Sequence, residues 1–289
     1  MVPVLKRISI FLLMLVSVLG SSAYASVHIV AAENFYGEVA KQLGGPYVEV
    51  VSILHNPNQD PHLFTTSVST AVAITKADMV SYNGADYDPW MKPLLAVTQK
   101  QNKHIIVVAE LMHIKKGSNP HIWYMPETML VYAREVVHHL SQLDPSHQAY
   151  FQQQFNTFNQ SYQPLFGQIK QLKMRFGRTP VIATEPVFNY MADAIHLDMH
   201  GKDFQINIMN DIPPSYSQTK KFEEDLQQHT VKMLIFNNQV INPSTEKMLV
   251  IAKKENIPVL GVSETMPAHV TYVEWMMKQL KQLDYSLGK

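Results

Sequence analysis

The sequence contains no cysteine. This absence excludes disulfide bonds, thiolate metal sites and cysteine catalysis, and it also excludes lipid attachment through a processed N-terminal cysteine. The sequence also has no excess of charge of either sign, since it contains 24 basic and 24 acidic side chains. A chain this close to neutrality gives no reason to expect nucleic acid or an anionic membrane surface as a partner.

Long hydrophobic runs are almost absent too. One run, Ile8–Leu19, follows Lys6 and Arg7 and precedes the small-residue pattern Ala23–Ala25. It is too short to span a membrane, which takes about 20 apolar residues, and its flanks are typical of a signal peptide. We therefore predict that residues 1–25 are a signal peptide, that cleavage follows Ala25, and that the mature protein is free in the periplasm.

The remaining chain is long enough for two domains and shows strand and helix patterns in alternation. This predicts an α/β fold with two lobes, each a mainly parallel sheet flanked by helices, joined by one long linking helix. The helix is predicted from apolar residues at spacings of 3 and 4 over Ser146–Arg175. We expect an N-terminal lobe at 26–144, the linking helix at 145–178 and a C-terminal lobe at 179–289.

The predicted strands are short apolar runs rich in β-branched residues. They are His28–Ala32, Tyr47–Leu54, Asp78–Tyr82, His104–Ala109, Val181–Thr184, Met233–Phe236 and Val259–Val262. The second half shows no detectable sequence repeat of the first. Asp203–Pro214 has no clear pattern and is predicted to be a loop over the cleft between the lobes.

Four side chains able to bind a metal each fall just past the carboxyl end of a predicted strand, two in each half. They are His62, His121, Glu185 and Glu264. Open α/β sheets bind their ligands outside the carboxyl ends of the strands. Two neutral imidazoles and two carboxylates around a divalent cation sum to zero charge, which makes a buried site tolerable. The set predicts a divalent metal site between the two lobes.

Each of these residues has another explanation when it is taken alone. Histidines are common in surface loops, and Glu185 before Pro186 is equally suited to the positive end of a following helix. Two other functions also stay open: an exported protein that binds a non-metal solute through Trp90 and Trp123, and a zinc hydrolase. The sequence contains no His-Glu-x-x-His pair, which counts against the hydrolase.

Four motifs resemble those of a known family. The stretches Asp60-Pro61-His62, Asn83-Gly84-Ala85-Asp86-Tyr87-Asp88-Pro89-Trp90, Asn119-Pro120-His121-Ile122-Trp123 and Thr184-Glu185-Pro186-Val187-Phe188-Asn189-Tyr190 are similar to those of the solute-binding proteins of zinc and manganese ABC importers, the cluster A-I or periplasmic zinc-binding-protein family. The resemblance covers essentially the whole mature chain.

The resemblance implies a monomeric protein that is not an enzyme and that holds one divalent metal ion, Mn or Zn, between two lobes bridged by a rigid helix. Its partner would be the ABC transporter permease subunit in the inner membrane. The family's two histidines fall on His62 and His121, its third ligand falls on Glu185, and its last acidic ligand falls on Glu264, where the family more often has Asp.

Several positions depart from the family pattern and bear on the choice of metal. Thr65, Thr66 and Met125 stand where acidic or proline residues are usual, and Lys115–Ser118 replaces a His-rich loop. Zinc binds nitrogen and oxygen ligands more tightly than manganese, yet two carboxylates offer up to four oxygens, which suits Mn(II). We predict Mn(II) in the cell, tight Zn(II) binding in vitro, and an affinity that falls below about pH 6.5, because imidazoles must be neutral to bind.

One histidine pair, His138-His139, lies in a predicted helix. Adjacent residues on a helix do not face the same side, and both are predicted to be surface residues.

Overall fold

A computed structural model describes residues 26–57, 64–98 and 103–288. The predicted signal peptide and the Asp60-Pro61-His62 motif lie outside these residues. Within the described residues, no helix has the length and apolar character needed to cross a membrane. The predicted fold class is confirmed, because these residues form two four-stranded parallel sheets flanked by helices.

The first sheet has the strand order β2-β1-β3-β4. Its strands are β1 (Val27–Glu33), β2 (Val48–Leu54), β3 (Met79–Tyr82) and β4 (His104–Val107). Its helices are α1 (Asn34–Gly44), α2 (Val68–Lys76), α3 (Met91–Val97), α4 (Val108–Leu111) and α5 (Thr128–Leu143). Nearly every residue of β1 is buried, as expected for a central parallel strand that helices cover on both faces.

The second sheet has the strand order β6-β5-β7-β8. Its strands are β5 (Pro180–Ala183), β6 (Asp198–His200), β7 (Leu234–Asn237) and β8 (Val259–Val262). Its helices are α7 (Asn189–Ile195), α8 (Lys202–Met209), α9 (Tyr216–Gln227), α10 (Pro243–Lys254) and α11 (Tyr272–Leu287). Capping boxes at Ser215, Asn242 and Thr271 fix where α9, α10 and α11 begin.

The predicted long helix is confirmed as α6 (Gln148–Phe176), which has 29 residues. It is about 43 Å long at 1.5 Å per residue. It packs against α1 and α5 of the first lobe and against α7 and α11 of the second. Its buried stripe consists of Phe151, Phe158, Tyr162, Leu165, Ile169 and Leu172. One helix face therefore contributes to the core of both lobes.

The largest of the apolar clusters in the described residues runs directly from one lobe into the other, and each lobe has a smaller cluster of its own. The phenol of Tyr124 in the first lobe donates a hydrogen bond to the carbonyl of Ser263 in the second, at 2.7 Å. In the reverse direction, the phenol of Tyr272 donates to the carbonyl of Trp123. All of these rings are fully buried. The lobes are thus joined by buried packing as well as by the linking helix.

The prediction that Asp203–Pro214 is a loop is wrong for most of that stretch, because α8 begins at Lys202. Phe204 and Ile208 stand four residues apart and are buried on the same face of the helix. The amide of Gln205 further anchors the first turn by donating to the carbonyl of His200 at 2.7 Å. The three-residue strand β6 was not predicted, and β4 ends at Val107 because a helical turn follows directly.

The two sheets repeat each other in register, although their sequences show no repeat. Ala31 of β1 pairs with Ser81 of β3, and Ala183 of β5 pairs with Ile235 of β7. Two residues beyond each of these four positions, each sheet carries one glutamate and one asparagine: Glu33, Asn83, Glu185 and Asn237. The same pair of side chains therefore stands at the carboxyl edge of the central strands in both lobes.

Candidate metal centre

Three of the four predicted metal ligands meet in one buried cluster between the lobes. The Nε2 atom of His121 lies 3.5 Å from Oε2 of Glu264, and these side chains are only 1% and 0% exposed. The amide nitrogen of Asn237 donates to Oε1 of Glu264 at 2.7 Å and also to Oε2 of Glu185. His62, the fourth predicted ligand, lies outside the described residues, and its role stays a prediction.

The ring of His121 is oriented by Asn119. The Oδ1 atom of Asn119 accepts a hydrogen bond from Nδ1 of His121 at 2.7 Å and another from its backbone N–H at 3.1 Å. An amide oxygen has no proton to donate, so Nδ1 carries the hydrogen. In the neutral imidazole, Nε2 is then the atom with the available lone pair, and it faces the carboxylates. His121 is held in the tautomer that a metal ligand requires.

Glu185 lies two residues beyond β5, directly before a 3-10 turn at Pro186–Phe188. Its side chain makes no capping hydrogen bond to that turn, which argues against a purely structural role at the turn's positive end. The carboxylate instead accepts from Asn237 inside the cluster. The turn is tied to the first lobe, because the amide of Asn119 donates to the carbonyl of Pro186 at 2.8 Å.

Glu264 follows β8 and is fixed by backbone and side-chain contacts. Its N–H and that of Thr265 both donate to Oε1 of Gln239, at 2.5 and 3.0 Å. From the first lobe, the phenol of Tyr87 contributes a hydrogen bond to the carboxylate. Burial, reinforced by the negative charge of Glu264, raises the pKa of Tyr87 well above its usual value. Tyr87 therefore keeps its proton and is the donor.

Asn237 is a site residue that the sequence analysis missed. It is the last residue of β7, so the rule that selected the other ligands also applies to it. Its Oδ1 atom accepts from the backbone N–H of Gln239 at 3.1 Å, which turns its NH₂ group toward both carboxylates. A selection restricted to imidazole and carboxylate side chains missed this amide, which donates a hydrogen bond to each of the two carboxylates.

A second pair of buried acidic side chains, Glu33 and Asp88, lies in the first lobe, and a proton balances one of its two charges. Asp88 accepts hydrogen bonds from the backbone N–H groups of Asn83 and Gly84, at 2.7 and 2.9 Å. Burial raises the pKa of Asp88 to about 6. Burial, together with the charge of Asp88, raises the pKa of Glu33 well above its usual value, so Glu33 is the partner that keeps a proton and donates it to Asp88.

The chemistry of the cluster follows from these groups. His121 and Glu264 are in direct contact, and Glu185 is linked to Glu264 through Asn237. Burying two carboxylates is costly unless a cation balances their charge. The donor atoms are nitrogen and oxygen, which suit zinc and manganese. Among the described residues, the predicted ligands His121, Glu185 and Glu264 therefore form a site whose charge and ligand atoms fit one divalent transition-metal ion.

Comparison with known proteins agrees with this geometry. The model of one protein family, described as zinc-uptake complex component A, periplasmic, matches residues 29–285. A manganese ABC transporter substrate-binding lipoprotein, PsaA of Streptococcus anginosus, is 23% identical over 319 aligned positions, covering 99% of this chain and 100% of that protein. A metal ABC transporter substrate-binding lipoprotein, ScbA of Streptococcus cristatus, is 22% identical over 320 positions, with the same coverage.

Solved structures share the fold. The periplasmic zinc-binding protein TroA from Treponema pallidum superposes with a TM-score of 0.77 at 15% identity, covering 91% of this chain and 99% of that one. An Mn-bound periplasmic metal-binding protein from Candidatus Liberibacter asiaticus gives a TM-score of 0.72 at 16% identity, covering 91% and 100%. With a family match that spans residues 29–285 of its 289, this chain belongs to the family of periplasmic component A proteins of zinc-uptake complexes.

Proposed function

We propose that this protein is the extracytoplasmic solute-binding component of a metal ABC importer, which captures one divalent metal ion between its lobes and delivers it to the permease. The observation that carries the proposal is the buried convergence of His121, Glu185 and Glu264 at the junction of the lobes. Membership of a family of uptake components means that the chain is not an enzyme and leaves the zinc-hydrolase alternative without support. The names of its relatives, manganese and metal transporter proteins, point to the same cargo.

The proposed ligands are His62, His121, Glu185 and Glu264. Since β2 ends at Leu54 on the same carboxyl edge as the other ligand-bearing strands, a segment continuing from it starts on the correct side of the sheet for His62 to reach the cluster. With two imidazoles and two carboxylates, the loaded site is neutral overall. Asn237 and Asn119 hold the ligands in place without binding the metal.

The proposal extends to organisation and location. We assign residues 26–144 and 179–289 to the two metal-binding lobes and 145–178 to the linking helix, with one copy of the protein acting on an inner-membrane permease. The relatives are named lipoproteins, whereas this sequence has no cysteine, so we propose a mature protein free in the periplasm. A mature N-terminus other than Ser26, read by sequencing the exported protein, would contradict the cleavage site.

The test of function is elemental analysis of the protein purified from its exported compartment without chelator. We expect one equivalent of metal in the wild type and none in His62→Ala or His121→Ala. Manganese would agree with the two-carboxylate argument, and Glu185→His should then shift the preference toward zinc. Zinc in the wild type would contradict the predicted metal and leave the proposed function unchanged. A folded wild type without any metal would favour the non-metal solute alternative.

Asn237 gives a separate prediction. Replacing it with alanine removes the donor that orients both carboxylates, and losing such an outer partner typically weakens metal binding by about 10- to 100-fold. Competition between the protein and a chromophoric chelator for Mn²⁺ and Zn²⁺ measures the change. The matched control is Asn238→Ala, since that neighbouring residue is exposed and lies outside the buried cluster. Equal affinities for the two variants would show that Asn237 has no orienting role.

A further inference from the structure

A second group of metal-capable side chains lies in the first lobe, far from the proposed cleft site. One ligand atom each from Glu135, His138 and His139 lies within 4.8 Å of the others. All three are on α5, and His104 of β4 contacts His139 from the adjacent strand. His138 and His139 stand three and four residues after Glu135, the two spacings that bring helical side chains next to residue i. His138 is exposed, as predicted, whereas His139 is partly buried, and the two rings lie 5.4 Å apart.

The group sits at the opposite edge of the sheet from the cleft. His104 is the first residue of the parallel strand β4, whereas the proposed cleft ligands follow the carboxyl ends of strands. The helix α5 begins at Thr128, close to the cleft, and His139 is about 16 Å further along its axis at 1.5 Å per residue. The two groups share no residue, so a cation bound at one does not touch ligands of the other.

We propose that Glu135, His138 and His139 form a second, surface-accessible site for a divalent transition metal of the zinc class, with His104 as a positioning residue. The Nε2 atom of His139 lies 3.1 Å from Oε1 of Glu135. Ligand atoms about 2.0–2.1 Å from a tetrahedral zinc are about 3.4 Å apart, so this edge of the site is already close to the required spacing. Water completes the coordination, because Glu135 is 34% exposed and His138 is exposed.

The position of His104 supports a metal site over a simple ion pair between Glu135 and His139. Its Nδ1 atom is 2.7 Å from Nδ1 of His139, so one ring donates to the other. When Nε2 of His139 binds a cation, Nδ1 of His139 carries the proton and His104 accepts it, the arrangement that metal-bound histidines generally have.

Zinc titration of the metal-free, full mature chain by calorimetry tests the site. We expect two equivalents of Zn²⁺ in the wild type, one of which is lost in His138→Ala/His139→Ala and the other in His121→Ala. The control is His113→Ala/His229→Ala, a pair of exposed histidines outside both groups, which should leave two equivalents. A double variant at 138 and 139 that still binds two equivalents, or a wild type that binds only the one lost in His121→Ala, would overturn the proposal.

The positioning role of His104 has its own readout. His104→Ala should weaken zinc binding at the second site by about 10- to 100-fold while leaving the stoichiometry and the cleft site unchanged. His104→Asn should recover most of the affinity, because an amide oxygen can accept the proton from Nδ1 of His139. If His104→Asn binds as weakly as His104→Ala, or if neither differs from the wild type, the assignment of His104 is wrong. Thermal melting of each variant shows that the fold is intact.

Discussion

Replacing His121 with alanine should lower the affinity of the cleft for Mn²⁺ and Zn²⁺ by more than about 100-fold. Losing only the partner that orients a metal-bound histidine costs about 10- to 100-fold, so losing the histidine itself must cost more. The effect is enlarged by burial: the ring is fully buried, and no water molecule that enters the gap reproduces both its lone pair and its link to Asn119. Chelator competition measures the affinity.

The control must separate loss of a ligand from loss of structure. His121→Gln keeps most of the volume of the side chain and a donor for Asn119, and the exposed His113→Ala removes an unrelated imidazole. We expect melting temperatures near that of the metal-free wild type for His121→Gln, together with weak metal binding. If His121→Ala or His121→Gln binds within about threefold of the wild type, His121 is not a ligand.

Replacing Glu33 with glutamine should stabilise the protein at neutral and alkaline pH. The pKa of Glu33 is raised in the folded state by burial and by Asp88, so folding favours its protonated form. The stabilisation from the protonated carboxyl is fully present below the ordinary pKa of a glutamate. It is lost as the pH rises toward the raised pKa of folded Glu33. Between these two pKa values, each pH unit lowers the free energy of unfolding by about 1.4 kcal/mol. Glutamine at position 33 can donate to Asp88 at every pH and therefore removes this loss.

Thermal unfolding of the metal-free protein at several pH values between 4 and 8 tests the direction of this pH dependence. The difference in melting temperature between Glu33→Gln and wild type should grow with pH and vanish near pH 4, with about 2–4 °C expected for each kcal/mol in a chain of this size. Glu110→Gln, a change at an exposed glutamate of the same lobe, is the control and should show no such trend. A pH-independent difference, or a loss of stability at pH 8, would contradict the shared proton.

The elements predicted best are those for which residue composition, residue spacing and the flanking turn residues all indicate the same element. The strand β8 (Val259–Val262) has the predicted bounds, because β-branched residues between turn residues define it. The long helix predicted over Ser146–Arg175 is α6 (Gln148–Phe176), because its apolar residues keep the helical spacing throughout. The strand β6 was missed since only its middle residue, Met199, is buried. A three-residue strand with polar ends has no period to detect.

The candidate site was predictable to the extent that it depends on residue type and on position after a strand. Glu185 and Glu264 satisfied both criteria, whereas His121 is separated from the end of β4 by the helix α4 and a loop. Asn237 satisfied only the second, and its importance depends on which way its amide is turned, which Gln239 decides in three dimensions. Glu33 and Asp88 are far apart in the sequence, so only the fold could show that they share a proton.

The apolar cluster that crosses both lobes has a consequence for how long the protein survives in the cell envelope. Because the two halves share buried rings and a common helix, we expect them to lose their packing together, in one cooperative unfolding event. Metal binding in the cleft, though its contacts are local, then protects every part of the chain: at a free metal concentration 1,000 times Kd, it adds about 4 kcal/mol to the free energy of unfolding. Proteases that cut unfolded chains would remove the empty protein faster than the loaded one, and its abundance would follow the supply of metal.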